Sequence, residues 1–121
     1  MVASSHYDGK TDRALTKLHE QTAEFFVGAA NPIDCEHNHY LDFYQQSRVA
    51  VSGLQVRAKA MADNRFTVEQ LQLLASSYEG LEQLHRLGCF SEAQVEDLWA
   101  VFDAGFSAVL RLELAKKHGR G

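Results

Sequence analysis

Phe66-Thr67-Val68-Glu69-Gln70-Leu71 and Phe90-Ser91-Glu92-Ala93-Gln94-Val95 carry the same helix-start signal, twenty-four residues apart. The hydroxyl of Thr67 or Ser91 suits a helix N-cap, where it accepts from a free backbone N–H. Gln70 or Gln94, three residues on, reaches back to the cap's own N–H. Phe66 and Phe90 stand just before the caps, and Leu71 and Val95 five positions later, the spacing of a hydrophobic staple. Gly88 is placed to end the first of these helices in the left-handed conformation. Residues 66–117 therefore read as an αα-hairpin. Its first arm, about 68–87, carries Leu71, Leu74, Tyr78, Leu81 and Leu84 on one face, flanked by Leu73 and Leu87. Its second arm, about 92–117, has one seam of Val95, Leu98, Phe102, Val109 and Leu112. A neighbouring seam holds Trp99, Phe106, Leu110 and Leu114.

Upstream, a first helix is expected from Thr11 or Asp12, with Leu15, Leu18, Thr22, Phe25 and Phe26 at three- and four-residue steps. Residues 28–31 end it. Pro32, the single proline, suits the first turn of a second helix over 32–62. That helix would be roughly 45 Å long at about 1.5 Å per residue. One face carries Tyr40, Phe43 or Tyr44, Ser47, Val51, Leu54, Ala58 and Met61. Leu41, Val49 and Val56 point elsewhere. Gly53 inside this run kinks the helix, admits a close contact or breaks it in two. No segment shows strand alternation. The expectation is an all-α protein: a small bundle of four, possibly five, helices with two long ones. Residues 1–10 read as a flexible N-terminal segment, and 11–121 as one α-helical interaction domain.

The 121 residues suffice for one core, with 45% apolar and 23% charged residues. A net charge of −4 and a pI near 5.8 argue against a nucleic-acid surface. Lys116, Lys117, His118 and Arg120 read as cations complementing a helix C-terminus. Residues 1–10 lack the apolar core of a secretory signal, and no run approaches the roughly 20 apolar residues that span a bilayer. Cys35 and Cys89 are too few and too far apart to suggest a disulfide scaffold. A reducing cytoplasm is the expected setting, with Cys89 a small apolar loop residue.

No phosphate loop, nucleophile elbow or other catalytic signature is present, so no enzyme and no cofactor are expected. One polar pattern stands out. Glu36-x-x-His39 is repeated as Glu82-x-x-His85, and paired Glu-x-x-His motifs with further carboxylates, here Glu24 and Glu92 or Glu96, hold di-iron sites in helical bundles. The alternative function is thus a metal-binding four-helix protein using Glu36, His39, Glu82 and His85. Against it, these residues sit at helix ends, and solvated carboxylates with a part-buried His85 explain them as well.

The second and fourth helices carry more apolar surface than about three positions in seven, the share a bundle helix needs. Uncovered apolar surface marks partner sites. Leu41, Val49 and Val56, and separately Trp99, Phe106 and Leu110, are therefore expected to include outward-facing contacts to a partner or to a second copy in a homodimer.

Over nearly its full length the chain resembles a family of small pseudomonad quorum-sensing antiactivators. The resemblance lies in length, helical character and run of sequence, above all Arg65-Phe66-Thr67-Val68-Glu69-Gln70-Leu71 through Gly88-Cys89-Phe90-Ser91-Glu92-Ala93-Gln94-Val95-Glu96-Asp97-Leu98-Trp99. It implies a non-enzymatic protein that binds a LuxR-type transcription factor and stops it dimerising or holding DNA. No binding residue is carried over by motif.

Overall fold

A computed structural model describes residues 7–27 and 32–118. Its helices are α1 (Gly9–Val27), α2 (Leu41–Ala60), α3 (Arg65–Leu87) and α4 (Glu92–Lys117), with a 3₁₀ turn at His37–Tyr40 ahead of α2. There is no strand among the described residues. Each helix packs on two neighbours: α1 on α2 and α4, and α3 on α2 and α4. The result is a four-helix bundle in which α1 and α3 lie on opposite corners. The two longest helices are α3, with 23 residues, and α4, with 26.

The core follows the three- and four-residue periodicity. Leu15, Leu18 and Phe26 meet Val51, Leu54 and Ala58, Leu71, Leu74 and Leu81, and Phe102, Phe106 and Val109, all buried. Thr22 sits among them. Its hydroxyl donates to the Leu18 carbonyl (2.8 Å), so the Tyr78 hydroxyl, 2.5 Å away, donates to Thr22. Burial pushes the Tyr78 phenol well above its usual range.

Several expected boundaries are corrected. α1 begins at Gly9 rather than Thr11, because Asp8 caps it: the Asp8 carboxylate accepts from the Lys10 N–H (3.2 Å) and the Thr11 hydroxyl (2.6 Å). Residues 9 and 10 are thus helical, while 1–6 lie outside the described residues, as do the expected helix end at 28–31 and Arg120. The long helix over 32–62 is shorter at its start. Asp34 holds the chain off the helix by accepting from the Glu36 N–H (3.0 Å) and donating its own N–H to the Tyr40 hydroxyl (2.8 Å). α2 then runs unbroken through Gly53, whose position is open.

Gly88 does end α3 at positive φ, yet with φ 139° and ψ −153° it is not in the left-handed helical region; this region is open essentially to glycine alone. α3 itself begins at Arg65, three residues before the expected start at Val68, so Thr67 is buried inside the helix rather than capping it.

The two cysteines are also corrected. Cys35 and Cys89 form a disulfide, with Cα atoms 4.2 Å apart. It joins the segment ahead of α2 to the α3–α4 connection. The fold brings together two thiols that 54 residues separate in sequence, and no local signal announces that.

The apolar surplus of α4 has a simple origin. α4 serves two neighbours, so it needs two seams. Phe102 meets Tyr78 of α3 (4.6 Å between ring centroids), and Trp99 and Phe106 meet His19 of α1 (5.8 and 5.1 Å). Trp99 also packs on Phe26. Phe106 is 1% exposed and is core, not an outward contact; Trp99 and Leu110 are half-buried against the same core.

Candidate functional site

Two parts of the surface can carry function: a polar cluster at one end of the bundle, and the outer faces of α2 and α3. In the cluster, Glu82 is buried on α3, where its carboxylate meets His37 Nε2 (2.9 Å), the Arg48 guanidinium and Arg86 Nη2 (3.2 Å). A buried carboxylate needs such partners to stay charged. One turn on, His85 is also buried. Its Nε2 donates to the Asp34 carbonyl (2.8 Å), which leaves Nδ1 to accept from the Tyr44 hydroxyl (2.7 Å). Burial, with the negative charge of Glu82 adding to it, pushes the Tyr44 phenol above its usual range. The rings of Tyr40 and Phe90 close on His85 at 5.2 and 4.9 Å.

This arrangement does not assemble the alternative metal set. Both ring nitrogens of His85 are engaged, and Glu82 is held by two guanidinium groups. Glu36 and His39 are exposed, His39 Nδ1 lying 2.5 Å from Asp34 Oδ2. Glu24, Glu92 and Glu96 are exposed as well. Among the described residues no group of three or more His, Cys, Asp or Glu side chains could hold a metal ion. The cluster's evident work is structural. His85 and the adjacent disulfide fasten residues 34 and 35 onto the end of α3.

The outer faces differ in kind. On α2, Leu41, Val49 and Val56 are 49%, 65% and 67% exposed, and Gln45 and Ser52 lie between them on the same side. Val49 also borders a groove of about 620 Å³ between α1 and α2, lined by Leu18, Gln21, Gln46 and Ala50 among others. On α3, Phe66, Leu73 and Leu87 are 60%, 61% and 86% exposed, and Leu84 is partly so. The sequence reading placed Leu84 in the core and Phe66 in a staple. His85 takes the inward position instead. The signal that could have found this face is the seven-residue recurrence Phe66, Leu73, Gly80, Leu87, which a search for the 3.6-residue core period passes over.

No helix among the described residues is long and apolar enough to cross a membrane. Compared with known proteins, the chain matches no family model, no curated sequence and no solved structure.

Proposed function

We propose that the chain is a non-enzymatic interaction protein, an antiactivator of the QslA kind, that takes a LuxR-type transcription factor by its ligand-binding domain. It keeps that factor from dimerising or from holding DNA. The observation that carries the reading is the α2 face. Leu41, Val49 and Val56 stand exposed in one row, and Val49 borders the groove of about 620 Å³ between α1 and α2. A surface of this kind binds protein; it offers no group to do chemistry on a small substrate. The net charge of −4 keeps the chain itself off nucleic acid. Self-association as a homodimer belongs to the same reading, as does action in the cytoplasm.

The test is a titration of the purified chain into a LuxR-type regulator bound to its promoter. Release of the DNA, with the regulator moving from dimer to a mixed complex, is the expected result. Val49→Glu and Val56→Glu should each weaken the effect at least about tenfold while helicity stays unchanged. A regulator that remains on DNA at saturating concentrations of the chain refutes the proposal.

A further inference from the structure

The segment ahead of α2, residues 32–40, lies across one end of the bundle as a strap. Residues 32–36 belong to no helix, and 32, 34, 35, 36, 38 and 39 are exposed. None of the fully buried core residues comes from the strap. Among the described residues, no backbone–backbone hydrogen bond joins 32–36 to α1, α3 or α4. Side chains hold it instead. His85 Nε2 donates to the Asp34 carbonyl, His37 Nε2 lies 2.9 Å from Glu82 Oε2, and Ile33 and Tyr40 rest partly buried on the core. The Cys35–Cys89 bond adds a covalent fastening.

Few main-chain hydrogen bonds, little buried surface and many exposed residues mark a segment that opens locally while the bundle stays folded. The disulfide removes the open states by tying Cys35 to the α3–α4 connection, and cutting it returns them. Opening has a definite consequence at this end of the molecule. Tyr40 packs on Phe25 and on His85, each at 5.2 Å between ring centroids, and His85 packs on Phe90 at 4.9 Å. Pro32 and Ile33 also line, with Phe26, Phe90 and Val95, a groove of about 330 Å³ at the start of α4. A lifted strap dismantles that groove, bares the rings of Phe25 and Phe90, and hands the Nε2–H of buried His85 over to water.

Cys35 and Cys89 are both exposed, so a dissolved thiolate reaches the bond without the bundle opening first. Exposed disulfides are the labile and regulatory ones, whereas structural ones resist the glutathione pool. We infer that Cys35–Cys89 is a thiol–disulfide switch that latches the strap and answers to a small-thiol couple of the glutathione type. The first small thiolate attacks one sulfur of the pair, forms a mixed disulfide with it and expels the other cysteine as a thiolate, which takes up a proton. A second small thiolate attacks the small molecule's own sulfur in that mixed disulfide and expels the remaining cysteine. The protein gains two electrons and two protons, and two small thiols leave as one disulfide. The reverse sequence closes the strap, which stays tethered through α2 and so returns to the same place. The switch does not rest on the identity of any regulator, and its test uses none.

The test needs the purified full chain and glutathione. In millimolar reduced glutathione without denaturant, alkylation followed by mass measurement should find both cysteines labelled, and glutathione disulfide should close the bond again. Hydrogen exchange in peptides covering 33–40 should run roughly tenfold faster in the reduced chain, with the centres of the four helices unchanged. Cys35→Ser combined with Cys89→Ser should exchange like the reduced chain and ignore glutathione. A bond that yields to glutathione only in urea is a fixed staple and overturns the inference. So does a reduced chain whose strap exchanges at the oxidised rate, and so does one whose four helices all open together.

Discussion

α3 and α4 open on nearly the same six residues and are held at their starts by different means. At α4 the fastening is local. The Ser91 hydroxyl accepts from the Gln94 N–H (3.1 Å), and the Gln94 side-chain oxygen accepts from the Ser91 N–H (2.9 Å). Phe90 and Val95 both pack on the core beside this box. At α3 the fastening comes from elsewhere in the chain. Asn64 donates through its side chain to the Ala58 carbonyl of α2 (3.0 Å), and its Oδ1 accepts from Lys116 of α4 (2.5 Å). Thr67, buried, accepts from Lys116 at 3.3 Å, and Lys116 also pairs with buried Glu113 at 2.6 Å. Phe66 points outward. A capping motif is an offer of hydrogen bonds. Where a buried ammonium group competes for the same hydroxyl, the ion takes it, because leaving a charge unpartnered in the interior costs more than a cap returns.

The largest way to break this contrast is at Lys116. Lys116→Met should cost about 3–5 kcal/mol in urea denaturation, since it leaves Glu113 buried without its cation. The double variant Glu113→Leu with Lys116→Met should regain most of that loss. A single variant of wild-type stability would mean that the network does not hold the start of α3.

The two phenylalanines sharpen the comparison next. Phe90→Ala removes a ring packed on His85 and should cost about 2 kcal/mol. Phe66→Ala, measured at concentrations low enough to keep the chain monomeric, should change stability by no more than about 0.5 kcal/mol. Equal losses would contradict the outward placement of Phe66.

The caps follow. Ser91→Ala should cost about 1 kcal/mol, and Gln94→Ala a fraction of it. Gln70→Ala, at the matching place in α3, should have no resolvable effect in the same melts.

The pH-dependent effect belongs to α1, whose start combines both means. Asp8 caps locally and is gripped from a distance by Arg57 of α2, at 2.6 and 3.3 Å. The Arg57 hydrogen bond first, then those of Thr11 and Lys10, holds the Asp8 carboxyl well below the usual carboxylate range. A depressed carboxyl stabilises the fold above its unfolded pKa of about 3.9. That stabilisation is lost as pH falls through the folded value. Arg57 is nearly half exposed, so solvent screening limits the contribution to about 1 kcal/mol or less. Asp8→Asn should flatten the acid limb of a pH–stability curve between about pH 4 and pH 2, and added salt should shrink the difference.

The helices themselves were legible in the sequence because their core residues recur at helical spacing and little competes with that signal. Leu15, Leu18 and Thr22, or Leu71, Leu74 and Tyr78, could hardly face anywhere else. The Ser91 box was legible because all of its partners lie within four residues. Thr67 and the cysteine pair were not, for one reason: each is decided by an atom brought from far along the chain. Lys116 decides Thr67, and Cys89 decides Cys35. Of the expected surface residues, Leu41, Val49 and Val56 are exposed, whereas Phe106 is spent on α1. Counting apolar positions on one helix does not reveal how many neighbours it will have.

The Cys35–Cys89 bond divides the chain topologically. α2 and α3 lie inside a closed covalent ring, while α1 and α4 hang from it as two open arms. Both exposed apolar rows are carried by the ring. One proteolytic cut in the turn at residues 61–64 would open the ring without parting it, and the two pieces would migrate as one molecule until a reductant separates them.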